Sequence, residues 1–123
     1  MAETKAHGRQ RPVSREGARH FRLQRMTAVI LIPLTILLVA MVAVLTGEDQ
    51  QTAATALGHI PVALLMGLLV IAGAAHMRIG MHEIIIDYFR GGLQTLLSLL
   101  NWAFFAFIVV ASLWALARLS LGL

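Results

Sequence analysis

The amino-acid sequence predicts an all-α integral membrane protein with three transmembrane helices. Of its 123 residues, 59% are hydrophobic and only 13% are charged, a balance outside the usual range for a soluble domain. Three apolar runs are long enough to cross a bilayer, which takes about 20 residues. We therefore predict spans at about residues 26–45, 60–87 and 93–119.

Each predicted element has its own sequence signal. The first span, residues 26–45, contains no charged side chain, and residues 46–58 are polar enough to predict a short loop. The second span starts near Ile60, and its last turns reach the membrane interface, where polar groups cost less. The Arg90-Gly91-Gly92 motif then ends that helix, because glycine loses much backbone entropy on becoming helical.

Basic residues are concentrated at the N-terminus. The formal net charge is +4, and seven of the ten Lys and Arg residues precede residue 26: Lys5, Arg9, Arg11, Arg15, Arg19, Arg22 and Arg25. The positive-inside rule therefore places the N-terminus in the cytoplasm and, after three crossings, the C-terminus in the periplasm. We predict a basic, flexible cytoplasmic segment at residues 1–16, a membrane domain at 17–123, and no nucleic-acid partner.

The sequence contains no cysteine. This excludes a disulfide, a thiolate-ligated iron–sulfur cluster and a zinc–thiolate site within the chain. A bound metal would need histidine or carboxylate ligands.

Ionisable residues lie in the last part of the second predicted span, at residues 76–88. Such groups are costly in hydrocarbon and usually face a protein interior, a cofactor or a water-filled site. At about 100° per residue, Gly80, Glu83 and Asp87 lie within about 40° of His76 around the helix axis. A face that is both small and polar allows close approach of another helix or of a flat macrocycle. Haem and quinone are the cofactors that we consider for it.

His76 is the candidate haem ligand, because a neutral imidazole binds haem iron well. Spans one and three contain no histidine, and His20 precedes the first span. A second axial histidine would therefore come from another chain. The residues alone leave an alternative open, in which His76 is a hydrogen-bonded histidine of the protein core.

Tyr88 is the candidate quinone contact. It lies about 18 Å nearer the cytoplasm than His76, given the helical rise, and its phenol can donate to a quinone carbonyl without carrying charge. Asp87 could orient that phenol or relay protons. The alternative is an interfacial tyrosine beside a solvated aspartate.

His20, Arg22 and Arg25 lie at the cytoplasmic mouth of the first span. Arginine can bind propionates or phosphates through two parallel hydrogen bonds. The same residues could instead anchor and orient the chain at the membrane surface.

Two motifs in this sequence resemble those of a known family. The first is Gln24-Arg25-Met26-Thr27-Ala28, with His20-Phe21 upstream and Pro33-Leu34 downstream; the second is His76-Met77-Arg78-Ile79-Gly80-Met81, followed by Asp87-Tyr88. Together with three spans in the right order, they resemble the small hydrophobic membrane anchor of bacterial succinate dehydrogenase, respiratory complex II. The likeness covers the chain from about Gly17 onward.

The resemblance implies a function for individual residues. His76 would be one axial ligand of haem b, with the other histidine supplied by the second, larger membrane anchor of the complex. Tyr88 would donate to the ubiquinone carbonyl with Asp87 in support, and Arg25 would lie near the haem propionates or the quinone. We therefore predict His76, Arg25 and His20 as the haem-binding set.

The resemblance also implies partners and location. A flavoprotein subunit and an iron–sulfur subunit would dock on the cytoplasmic side of the bacterial inner membrane, where this chain anchors them. The chain would not be an enzyme by itself. Two alternatives stay open: an anchor of a fumarate reductase, and a non-redox membrane scaffold protein.

Overall fold

The computed structural model describes residues 15–123, which form four α-helices. They are α1 (Arg15–Leu45), α2 (Gln50–Gly58), α3 (Ile60–Tyr88) and α4 (Gly91–Leu121). Three of them, α1, α3 and α4, are long and apolar enough to cross a membrane. The predicted all-α class with three spanning helices is therefore confirmed. The basic residues Lys5, Arg9 and Arg11 lie outside the described residues.

Helix α1 begins well before the predicted first span. It starts at Arg15 and continues through Pro33 to Leu45, with Glu16 in its first turn. The apolar run at residues 26–45 has about the length needed to cross the hydrocarbon layer. The helix continues before that run, into a segment whose charged side chains can stay solvated at the membrane interface. His20, Arg22 and Arg25, predicted at the cytoplasmic mouth of the first span, consequently lie within helix α1.

The segment predicted as a simple loop contains a further helix. Residues Gln50–Gly58 form α2. Asp49 caps its N-terminus, where a side-chain oxygen accepts a hydrogen bond from the Thr52 amide at 2.7 Å. That bond satisfies one of the free N–H groups at a helix N-terminus. The backbone hydrogen bond from Thr52 also lowers the pKa of Asp49 below its usual value of 3.8. The prediction of an irregular loop over this whole segment was therefore wrong.

The turn between α3 and α4 lies where the paired glycines predicted it. Helix α3 ends at Tyr88, and Phe89 and Arg90 are extended. Gly91 has a φ of +65°, a conformation that side-chain-bearing residues rarely adopt, and starts α4. Tyr88 is therefore the last helical residue on the end of α3 that faces this turn.

Helix α3 packs against both α1 and α4 and contains most of the buried residues. They are Met66, Gly67, Ala72, Ala74, Ile79 and Ile85. Helix α1 contributes only Leu34, and α4 contributes none. At the opposite end from Tyr88, the short α2 packs on α4, where Gly58 approaches the backbone of Leu119. The outer faces of α1 and α4 are thus left to lipid or to partner chains.

Candidate functional site

The polar face of α3 is covered by α1 of the same chain. A Cβ atom added at Gly73 would lie 3.7 Å from the Leu31 side chain, and one added at Gly80 would lie 3.3 Å from Nε2 of Gln24. The small residues predicted to admit a helix or a macrocycle therefore admit a helix, α1. This close approach brings a row of α1 side chains, His20, Gln24, Thr27 and Leu31, against α3, at the spacing of one helix face.

His76 meets Thr27 at this contact. The Thr27 hydroxyl oxygen lies 3.0 Å from Nδ1 of His76, across 49 residues of sequence. The same hydroxyl is 2.9 Å from the Leu23 carbonyl oxygen and 3.0 Å from that of Gln24. The alternative of a hydrogen-bonded histidine therefore holds for Nδ1 of His76.

His76 is half-buried, and its Nε2 is not fully enclosed by residues 15–123. Two side-chain polar atoms among residues 15–123 are fully enclosed without a partner, Gln24 Oε1 and Ser120 Oγ, and Nε2 is not one of them. Residues 15–123 also provide no hydrogen bond to Nε2. An unsatisfied polar group within a membrane span is costly. Nε2 is therefore the ring nitrogen for which residues 15–123 provide no hydrogen-bond partner.

His20 contacts α3 nearer the start of α1 than Thr27 does. Its Nδ1 lies 3.6 Å from a carboxylate oxygen of Glu83, and its ring meets the His82 ring edge-on at 5.3 Å between centroids. His20 and Glu83 border a cleft of about 310 Å³ between α1 and α3, to which Gln24 also contributes. The carboxylate of Glu83 competes with any propionate for His20, so the haem-binding prediction for His20 remains open.

Arg78 faces the other neighbour of α3. Its guanidinium carbon lies 4.0 Å from the Trp102 ring centroid and 5.6 Å from that of Phe105. The Asn101 side-chain amide donates to the Arg78 carbonyl at 2.9 Å. Arg78 thus turns toward α4, on a different side of α3 from the His76–Thr27 contact.

The residues predicted to bind quinone lie at the end of the bundle that carries the start of α1, but they do not contact one another. Tyr88 is 79% exposed, and Asp87 is exposed beside it. The Arg25 guanidinium lies over the Phe21 ring at 5.8 Å. Within residues 15–123, neither Asp87 nor Tyr88 is paired with Arg25. A quinone pocket built from them would need walls from another chain.

Sequence reasoning missed Thr27 as a site residue. The signal was present, since His20, Gln24 and Thr27 recur at intervals of four and three residues and so share one face of α1. The sequence did not show which helix packs against that face. Only the packed helices show that Thr27 lies level with His76.

Three helices long enough to cross a membrane define a multi-pass membrane protein. Its middle spanning helix, α3, carries the ionisable residues of the candidate ligand site. The chain belongs to the family described as succinate dehydrogenase/fumarate reductase transmembrane subunit, whose model matches residues 1–117. It is similar to the succinate dehydrogenase hydrophobic membrane anchor subunit of Paracoccus denitrificans, with 34% identity over 107 residues, covering 87% of this chain and 83% of that relative. The comparison with solved structures gave no match. The chain is thus a membrane anchor subunit of this class.

Proposed function

We propose that this chain is the smaller of two membrane anchors in a bacterial succinate:ubiquinone oxidoreductase. It attaches a flavoprotein subunit and an iron–sulfur subunit to the inner membrane, shares haem b with the larger anchor, and forms part of the quinone-reducing site. The similarity to a succinate dehydrogenase anchor favours this direction over fumarate reduction. The absence of cysteine means that the electron-carrying clusters belong to a partner.

His76 is the proposed axial ligand from this chain. The observation that carries this assignment is its half-satisfied ring in a helix of spanning length: Nδ1 lies 3.0 Å from the Thr27 hydroxyl, and residues 15–123 neither fully enclose Nε2 nor give it a hydrogen bond. Because the other spans lack histidine, the opposite ligand would come from the larger anchor. When bound, the haem supplies a one-electron carrier in the membrane. The chain's own part is to present a neutral imidazole in apolar surroundings.

Arg25 is the proposed propionate contact. Its exposed guanidinium lies on the same helix as Thr27, nearer the cytoplasm, and keeps hydrogen-bond donors available beyond its contact with Phe21. His20 is a secondary candidate, because it already faces Glu83.

Tyr88 and Asp87 are proposed to act at the quinone. Reduction of a quinone to a quinol takes up two electrons and two protons, so the site needs a hydrogen-bond donor and a route to water. The Tyr88 phenol donates to a carbonyl oxygen, and Asp87 lies beside it with an exposed carboxylate that can exchange protons with the aqueous side. Their end of α3 is the side of the Arg-rich N-terminus, and hence the side on which the soluble subunits would dock.

The visible spectrum of the purified complex tests this proposal. We expect low-spin b-type haem bands in the complex that contains the unchanged chain and their loss in His76→Ala. His59→Ala is the matched control, because His59 is an exposed histidine at the start of α3, and it should leave the bands unchanged. Bands that persist in His76→Ala would remove His76 as the ligand. A complex without haem bands would favour the scaffold alternative.

A further inference from the structure

The Thr27 hydroxyl has three hydrogen-bonding neighbours but only one proton. Two of the neighbours, the Leu23 and Gln24 carbonyl oxygens, can only accept. If His76 Nδ1 also accepted, the single hydroxyl proton would satisfy one of three acceptors. If Nδ1 carries a proton, the hydroxyl donates to a backbone carbonyl and accepts from Nδ1, which gives two hydrogen bonds instead of one. The second arrangement is favoured, since it satisfies one more hydrogen-bonding group.

We propose that Thr27 is the positioning residue that fixes the tautomer of His76. It holds the ring proton on Nδ1 and leaves the lone pair on Nε2, the nitrogen that residues 15–123 do not fully enclose and do not hydrogen-bond. This inference rests on the proposed function, in which Nε2 binds the haem iron. A histidine in the opposite tautomer would present an N–H group to the metal and could not bind it.

The helix packing holds this hydroxyl at the level of His76. On one side Leu31 lies against Gly73, and on the other Gln24 lies against Gly80, so α1 is fixed relative to α3 both before and after Thr27. The threonine also bonds back to its own helix, as threonine commonly does. The acceptor for Nδ1–H is therefore in place before any metal binds.

A hydrogen-bond acceptor on Nδ1–H makes the imidazole a stronger electron donor to a metal. A stronger donor stabilises the ferric state of an iron centre more than the ferrous state. Thr27 should therefore lower the midpoint potential of the haem and strengthen its binding. Outer hydrogen-bond partners of this kind typically contribute about 10- to 100-fold in metal affinity.

The test replaces Thr27 in the assembled complex by valine, which has the same shape but no hydroxyl, and by serine, which keeps the hydroxyl. We measure the haem-to-protein ratio and the midpoint potential by redox titration of the b-type bands. Thr27→Val should raise the potential and weaken haem retention about 10- to 100-fold, and Thr27→Ser should restore both. Thr46→Val is the control, because the Thr46 hydroxyl also bonds back to a carbonyl of α1, that of Val42, but Thr46 lies just beyond the opposite end of the helix.

The outcomes separate this proposal from the one on which it rests. An unchanged potential and haem content in Thr27→Val, or equal changes in the valine and serine variants, would overturn the role of Thr27 while leaving His76 as ligand. Loss of haem from the valine variant alone would support the role. Haem bands that survive in His76→Ala would overturn the ligand assignment itself, whatever the Thr27 variants show.

Discussion

The guanidinium carbon of Arg78 on α3 lies 4.0 Å from the centre of the Trp102 ring on α4. Attraction between a cation and the face of an aromatic ring is strongest where water is scarce. The adjacent Asn101 donates to the Arg78 backbone carbonyl, so two neighbouring residues of α4 hold the same position on α3. An arginine inside a membrane span is thereby compensated in part by the chain's own aromatic residues.

Trp102→Leu should weaken the α3–α4 contact. Loss of the ring removes the cation–π interaction, which contributes about 1–2 kcal/mol in partly desolvated surroundings, and leaves the arginine less well compensated. We expect a lower Tm of the purified complex. Trp114→Leu on the same helix is the control, because no described guanidinium lies over that ring. Equal shifts in the two variants would show that general loss of aromatic surface is responsible.

Gly58→Ala should destabilise the end of the bundle farthest from Tyr88. The added Cβ would lie 2.5 Å from the Leu119 carbonyl oxygen and 3.0 Å from its carbonyl carbon, both backbone atoms that cannot rotate away. Overpacking of this kind costs about 1–3 kcal/mol, measured as a lower Tm of the complex. Gly92→Ala is the control, since nothing lies within 4 Å of the added atom. If Gly58→Ala were as stable as the control, the close approach of α2 to α4 would be wrong.

Acid should loosen α2 through Asp49. Its pKa is lowered by the hydrogen bond from the Thr52 amide, so the cap stabilises α2 fully above the ordinary value of 3.8 and is lost as pH falls through the lowered value in the folded chain. Hydrogen–deuterium exchange of residues 49–58, corrected for intrinsic rates, should therefore rise at low pH. Asp49→Asn keeps a capping oxygen and should abolish this pH dependence. A dependence that persists in Asp49→Asn would point to another group.

Tyr88→Phe tests the quinone assignment separately from anchoring. Loss of the phenolic hydrogen bond should lower quinone reduction about tenfold, because a donor to the developing oxygen charge is missing. Succinate oxidation with an artificial dye that takes electrons from the iron–sulfur subunit should stay at the parent rate. Quinone reduction at the parent rate in this variant would contradict the assignment. A fall in both rates would indicate a defect in assembly.

Composition and length were sufficient to predict the three spans, because each spanning segment must by itself be apolar and long enough to cross the bilayer. The short α2 was missed for the opposite reason. A nine-residue helix of mostly polar and small residues gains little in isolation, and its stability depends on packing against α4, which Gly58 permits. The helical extension of α1 back to Arg15 was likewise not visible from the apolar run.

Part of the candidate site could likewise be predicted from the sequence, and part could not. His76 could be predicted because an ionisable group inside an apolar run is conspicuous in the sequence. Its contact with Thr27 could not, since it joins residues 49 positions apart and depends on the register of two helices. The roles of Tyr88, Asp87, Arg25 and His20 came from residue chemistry together with the family resemblance. They stay predictions, because no contact among residues 15–123 tests them.

Helix α4 is 31 residues long, and none of them is buried within the chain. In a bilayer, helices insert first and associate afterwards, and association depends on the surfaces that they offer one another. A copy produced without its companions would therefore remain a loosely joined set of inserted segments. We expect such orphan copies to be short-lived in the cell, so that balanced synthesis of the anchors is a requirement set by the fold itself.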